Sequence, residues 1–148
     1  MSYPIKLMSC SVLCAVIVLV APDNLRASKK TRDSVTSTYN HGLSISIVND
    51  SEKFEAGRNS FCVMFTKASS AEAAPMKDVV VDFAQQVGKI REGPIHVQIA
   101  ETDIGYFCGS VDLGKQNYDH AFYYVYIHYL DTYGTRRKSL LSFSIKRE

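Results

Sequence analysis

The side chains of this chain that are best suited to chemistry are its histidines, cysteines and internal methionines. Imidazole nitrogen and thiolate or thioether sulfur are ligands that suit copper. No two of these residues lie at the spacing of a local ligand motif such as His-x-His or Cys-x-x-Cys, so a copper site would have to be assembled by the fold. Beyond the first thirty residues, the side chains of this kind are His41, His96, His120, His128, Met64, Met76, Cys62 and Cys108.

Five of these residues are the candidate copper ligands: His96, His120, His128, Met64 and Met76. The pattern around them places His96 and His128 on outward faces of strands and His120 in a loop. The simpler interpretation is that they are surface or half-buried histidines that hold no metal. The sequence therefore predicts no resident cofactor, with copper as the alternative.

Nucleophilic catalysis would need a cysteine or serine beside a histidine and an orienting carboxylate. Cys108 with His96 or His120, and with Asp112 or Asp119, has the right residue types. No glycine-flanked nucleophile motif accompanies them, and the carboxylates are scattered rather than paired. The sequence therefore predicts a protein that is not an enzyme.

Short runs of alternating apolar and polar residues would have to position these groups. Period-two alternation with turn signals between the runs is typical of antiparallel strands that have one buried and one wet face. The candidate strands cover residues 42–49, 59–67, 78–87, a run that opens at Pro94, and residues 106–113, 121–130 and 139–146. Seven such strands and no convincing helix predict an all-β, immunoglobulin-like antiparallel β-sandwich.

The sixth candidate strand, residues 121–130, is the most aromatic stretch of the chain. Its odd-numbered residues from Tyr123 to Tyr129 have the composition of a core face, and its even-numbered residues form a second, outward face. Aromatic side chains with polar tips are enriched at protein interfaces, so an exposed aromatic stripe here would bind a partner protein. The alternative is that a neighbouring strand or the N-terminal segment covers the stripe. The stripe consists of Phe122, Tyr124, Tyr126 and His128.

The N-terminal segment predicts export. Lys6 precedes an apolar run over residues 7–21, and Ala27 is a small residue where signal peptidase could cleave. This layout is typical of a secretory signal peptide over residues 1–27, and the apolar run is short for a membrane span. An uncleaved N-terminal anchor is the alternative. In both cases the rest of the chain lies outside the cytoplasm, as a flexible lead-in over residues 28–41 and a single domain over residues 42–148.

The charge balance narrows the choice of partners. The chain has 17 Lys and Arg and 15 Asp and Glu, a net charge of +2. This balance does not favour nucleic acid as a partner. Two basic clusters, around Lys30 and Arg137, are interpreted as a solvated tail and a turn. Contact with a membrane is expected only through a retained N-terminal segment.

Several short motifs resemble the YtkA-like domain family, with the FixH proteins a more distant comparison. They are Gly57-Arg58-Asn59-Ser60-Phe61-Cys62-Val63, Pro75-Met76-Lys77-Asp78-Val79-Val80-Val81, Gly105-Tyr106 and Gly109-Ser110-Val111-Asp112-Leu113, followed by the aromatic strand. The resemblance covers residues 42–146. It implies an exported or membrane-anchored β-sandwich that is found with metal-transport or respiratory-oxidase machinery. Such domains often carry a methionine-rich segment after the third strand. At that place this chain has Asp82-Phe83-Ala84-Gln85-Gln86, which contains no methionine.

Two cysteines remain in the exported part, and an even pair invites a disulfide. Tyr106-Phe107-Cys108 is similar to the Tyr-x-Cys of an immunoglobulin strand F, and Cys62 stands where a strand-B cysteine would, which would make the bridge inter-sheet. However, the alternation places both cysteines outward. Outward cysteines on opposite sheets cannot reach the Cα separation of roughly 4.4–6.8 Å that a disulfide usually needs. The sequence therefore leaves open whether Cys62 and Cys108 form a disulfide or remain free thiols.

These patterns together predict an exported, non-catalytic binding module that contacts a partner protein through the aromatic stripe. The alternative is a periplasmic copper-handling protein that is associated with transport or respiratory-oxidase machinery. Asn49-Asp50-Ser51 also matches a glycosylation sequon, which matters only for a eukaryotic source.

Overall fold

The structure is a computed structural model that describes residues 34–115 and 120–146. The predicted signal peptide and the first residues of the predicted lead-in lie outside these ranges. Every regular element in the described ranges is a β-strand. They therefore contain no helix long and apolar enough to cross a membrane.

Within residues 34–115 and 120–146, nine strands form two antiparallel sheets. In chain order they are β1 (Ser34–Asn40), β2 (Leu43–Val48), β3 (Arg58–Lys67), β4 (Lys77–Val87), β5 (Ile90–Val97), β6 (Ile99–Asp103), β7 (Tyr106–Asp112), β8 (His120–Leu130) and β9 (Arg136–Lys146). One sheet has the order β1-β2-β3-β7-β6, and the other has the order β5-β4-β8-β9. The predicted all-β antiparallel sandwich is confirmed, with nine strands rather than seven.

The core lies between the two sheets and is built from the alternate residues of each strand. Phe61, Val63 and Phe65 of β3 are buried, as are Tyr123 and the other odd-numbered residues of β8 up to Tyr129. Burying apolar area in this way is the main term that stabilises a domain, at roughly 25 cal/mol per Å². The period-two pattern of β3 and β8 therefore matches their buried faces.

Phe54 joins this core from the loop between β2 and β3. Its ring stacks on Phe143 with the centroids 4.4 Å apart. The loop is folded inward by Asn59, whose side chain accepts a hydrogen bond from the N–H of Glu55 and donates to the carbonyls of Glu55 and Gly57. Asn59 is buried, so these bonds satisfy polar atoms that water cannot reach.

The prediction of a flexible lead-in over residues 28–41 is wrong from Ser34 onward, because β1 pairs with β2. The two strands are joined at His41 and Gly42, which both have positive φ, as the tight turns of hairpins require. At the same end, the Asn40 side chain donates to the Lys138 carbonyl and to Ser139 Oγ. An edge strand needs no apolar face. The residues of β1 are mostly polar, so β1 lacks the apolar alternation by which the other strands are predicted.

The predicted fourth strand is two strands in the structure. The chain leaves the four-stranded sheet after β5 and enters the five-stranded sheet as β6, with Gln98 between them. Val97, the last residue of β5, is buried. Ile95 lies opposite the buried Phe83 in register, but 39% of its surface stays exposed because β5 is an edge strand.

Cys62 and Cys108 are bonded to each other, with the sulfur atoms 2.08 Å apart. They lie directly opposite each other on β3 and β7, which are neighbours in the same sheet. Both side chains are half-buried on the outer side of that sheet, as the alternation predicted. The expectation that they belong to opposite sheets is wrong, and so is the comparison with an immunoglobulin inter-sheet bridge.

Candidate functional site

The candidate site is the outer surface of the four-stranded sheet, on which the aromatic stripe lies. We call this outer surface of β5, β4, β8 and β9 the aromatic face; the stripe along its strand β8 consists of Phe122, Tyr124, Tyr126 and His128. Strand β8 has β4 on one side and β9 on the other, so the stripe runs through the interior of the sheet. Phe122 and His128 are exposed, whereas the two tyrosines are half-buried.

Two cations, one from β5 and one from β9, cover the tyrosines. The Arg91 guanidinium of β5 lies 4.6 Å from the ring centroid of Tyr124 and 5.8 Å from that of Tyr126. It also donates a hydrogen bond from Nη1 to the Tyr126 hydroxyl. From the other side, Lys138 Nζ of β9 lies 4.5 Å from the Tyr126 centroid. Cation–π contacts of this kind stabilise by about 0.5–1 kcal/mol when exposed. Neighbouring side chains thus cover part of the stripe and leave Phe122 open.

The surface is hollow beside Tyr126. A cavity of about 330 Å³ lies there, with Arg91, Tyr126, His128 and Lys138 among its lining residues. Its floor contains Ala84 and Gly93, at an irregularity in the pairing of β4 with β5. The two strands approach so closely there that a Cβ on Gly93, whose φ is +112°, would lie 3.0 Å from the Phe83 carbonyl oxygen. The hollow exists because these floor residues have little or no side chain.

The charges that line this cavity are unevenly paired. Asp82 Oδ1 lies 2.5 Å from His96 Nδ1, and the aspartate side chain is only 15% exposed. Within the described ranges, neither Arg91 nor Lys138 forms an ion pair. The cavity therefore presents two cations to solvent, while its carboxylate is already bonded.

The structure does not bring the five candidate copper ligands together. Met76 is buried in the core, and Met64 lies on β3 of the other sheet. His96 and His128 share the outer side of the four-stranded sheet, whereas His120 is eight residues from His128 on the same strand, about 27 Å away. No three His, Cys, Asp or Glu residues are grouped for a metal ion in the part of the chain that the structure describes.

The residue types considered for nucleophilic catalysis are also not assembled. Cys108 is bonded to Cys62 and therefore offers no thiolate. Asp119 lies outside the described residues. The sequon asparagine, Asn49, is only 4% exposed, and its Nδ2 donates to the Lys53 carbonyl oxygen at 2.5 Å. An N-linked glycan on Asn49 is incompatible with this arrangement.

Sequence reasoning missed the two residues that complete the site. Arg91 falls between the predicted strand over residues 78–87 and the run that opens at Pro94, and Lys138 belongs to the basic cluster around Arg137 that is interpreted as a turn. Both residues lie on paired strands. The sequence carries no signal for their place beside the aromatic stripe, because that place depends on the strand order, in which β9 is next to β8 and β5 lies beyond β4 on the other side.

Comparison with known proteins gives no further guide to the site. No protein-family model matches the chain, and neither a curated protein nor a solved structure matches it.

Proposed function

We propose that this domain is a non-catalytic module that binds another protein through the aromatic face. The observation that carries the proposal is the exposure of large apolar side chains on three adjacent strands of one sheet surface. Phe122 of β8, Leu140 of β9 and Val80 of β4 are 56%, 48% and 46% exposed. They surround tyrosines and an arginine, which are the residue types that most often dominate binding energy at interfaces.

A partner protein accounts for this surface better than two other occupants. A second copy of the chain, related by a twofold axis, would bring the Arg91 and Lys138 of each copy toward the same cations of the other. The chain's own N-terminal segment carries Lys29, Lys30 and Arg32, which the cations of the face would repel. The disulfide supports a partner that is itself exported, since such bonds persist mainly in oxidising compartments.

Site-specific photo-crosslinking tests the proposal. Benzoylphenylalanine is placed at Phe122 or Leu140 on the aromatic face, and at Tyr39 on the other sheet as the control. The two positions on the face are expected to give one and the same adduct, identified by mass spectrometry, and Tyr39 is expected not to give it. Adducts that form equally well at Tyr39, or at neither position on the face, contradict the proposal.

The affinity for the crosslinked partner is then measured with purified proteins. Tyr124→Ser/Tyr126→Ser is expected to weaken binding by at least about thirtyfold, because tyrosines at an interface centre often contribute 2 kcal/mol or more. The matched control is Tyr39→Ser/Tyr133→Ser, which removes two exposed tyrosines that lie on β1 and in the turn between β8 and β9. Circular dichroism verifies that both variants keep the fold. Equal affinities of the two variants would remove the tyrosines from the binding surface.

A further inference from the structure

The cavity beside Tyr126 has the chemistry of an anion subsite. Its lining combines the guanidinium of Arg91, the ammonium of Lys138 and the ring of Tyr126. The two cations belong to β5 and β9, so they reach Tyr126 from opposite sides of β8. We infer that this cavity receives the carboxylate of an aspartate or glutamate side chain, so that the partner docks an acidic segment on the aromatic face. This inference rests on the proposed function.

Arg91 is held in place before any ligand arrives. Its guanidinium stacks over Tyr124 and is hydrogen-bonded to the Tyr126 hydroxyl. A guanidinium has five N–H donors in a planar fork, and only one nitrogen is used by this bond. The remaining donors can bind a carboxylate in a bidentate manner. Because Arg91 is already ordered, binding does not have to immobilise its side chain.

The charge balance of the cavity favours one carboxylate over a more highly charged anion. Arg91 and Lys138 supply two positive charges, and Asp82, bonded to His96, supplies one negative charge. Without counting the imidazoles of His96 and His128, the excess is a single positive charge, which one carboxylate neutralises. A phosphate dianion would leave a negative charge beside Asp82. The floor of Ala84 and Gly93 gives the methylene groups of a glutamate an apolar surface to contact.

The test uses the full-length chain labelled with ¹⁵N and an acetylated hexaglutamate peptide as the probe, at low ionic strength. Amide shifts are expected to concentrate around Arg91, Tyr126 and Lys138 and to weaken as salt is added. Lys138→Gln is expected to weaken the peptide's affinity about tenfold, because a charge-assisted hydrogen bond is lost. The matched control is Lys146→Gln, on the same strand and the same face but about 27 Å away. It is expected to leave the affinity unchanged.

Several outcomes would overturn the inference. They are equal weakening by Lys138→Gln and Lys146→Gln, equal binding of hexaglutamine, binding of inorganic phosphate as tight as that of the peptide, and no binding of hexaglutamate at all. Arg91→Lys separates charge from geometry, since it keeps the cation and loses the planar fork. It is expected to weaken binding, though less than Arg91→Gln does, and an Arg91→Lys variant that binds as tightly as the wild type would contradict the bidentate geometry.

The proposed function and this inference can fail independently. Crosslinks at Phe122 and Leu140 report contact with the face and do not require an acidic ligand. If they form but hexaglutamate does not bind, the carboxylate subsite is wrong and the binding face stands. If hexaglutamate binds beside Tyr126 but crosslinks appear only on the other sheet, the subsite exists and the proposed protein-binding face is wrong.

Discussion

Removal of the Cys62–Cys108 bond should cost this domain a large part of its stability. The bond joins residues separated by 46 positions in the sequence. In the chain-entropy treatment, a closed loop of that length lowers the entropy of the unfolded chain enough to stabilise the fold by about 4 kcal/mol at 25 °C. Domains of this size are typically stable by only about 5–15 kcal/mol. Cys62→Ala/Cys108→Ala is therefore expected to fold, but with a much smaller free energy of unfolding than the wild-type protein.

The folded state itself should change little in this variant. The strands that the bond joins, β3 and β7, remain paired from Arg58 opposite Asp112 to Met64 opposite Tyr106. The two cysteines are only half-buried on the outer side of the sheet, so their truncation leaves no core cavity. The effect should lie mainly in the unfolded chain, which becomes more expanded. The denaturant midpoint should therefore fall, while the dependence of the unfolding free energy on denaturant becomes steeper.

The assay is urea unfolding of both proteins at 25 °C, followed by far-ultraviolet circular dichroism, with and without a thiol reductant. Reductant should bring the wild-type curve onto that of the variant and should leave the variant unchanged. Proteolytic mapping under non-reducing conditions establishes that the wild-type bond is present. A variant within about 1 kcal/mol of the bonded wild-type protein would refute the loop-entropy reasoning. Separate peptides for Cys62 and Cys108 would refute the bond itself.

The strands and the core could be predicted from the sequence because their signal is local. A strand between solvent and core must alternate, and residues such as Phe61, Val63 and Phe65 carry that alternation in three consecutive odd positions. The same reasoning failed for β1. Its side chains are polar because it is an edge strand, and its place is set by pairing with β2 and by Asn40 at β9.

The order of the strands in each sheet could not be predicted from the sequence. The wrong placement of the two cysteines and the missed contacts at the aromatic stripe both result from this. The outward direction of Cys62 and Cys108 followed from alternation, but their adjacency depends on β3 pairing with β7. Likewise, the alternation predicts that Tyr126 faces outward, while its contacts with Arg91 and Lys138 depend on β9 lying next to β8 and on β5 lying beyond β4 on the other side. These contacts join residues far apart in the chain, and no sequence spacing encodes them.

Three further predictions follow from particular contacts. Asn59→Ala removes three buried hydrogen bonds that hold the loop before β3, and should lower the free energy of unfolding in urea by about 2–4 kcal/mol; a loss below about 0.5 kcal/mol would contradict this role. Gly105→Ala should cost about 3 kcal/mol or more in the same assay, because φ is +71° and the new Cβ would lie 2.8 Å from two carbonyl oxygens. Its control, Gly134→Ala, has φ +75° in open space and should cost only about 1–2 kcal/mol; equal costs would show that crowding is irrelevant. Finally, a hydrogen bond from the Thr135 N–H is the largest cause that lowers the pKa of Asp131 below its usual value of 3.8. A carboxyl with a lowered pKa in the folded state stabilises the fold above its unfolded pKa, and this contribution is lost as the pH falls through the folded value. Asp131→Asn should therefore lower stability at pH 7 and flatten its decline below about pH 4, and unfolding curves that decline in parallel for the two proteins would show that the aspartate does not contribute.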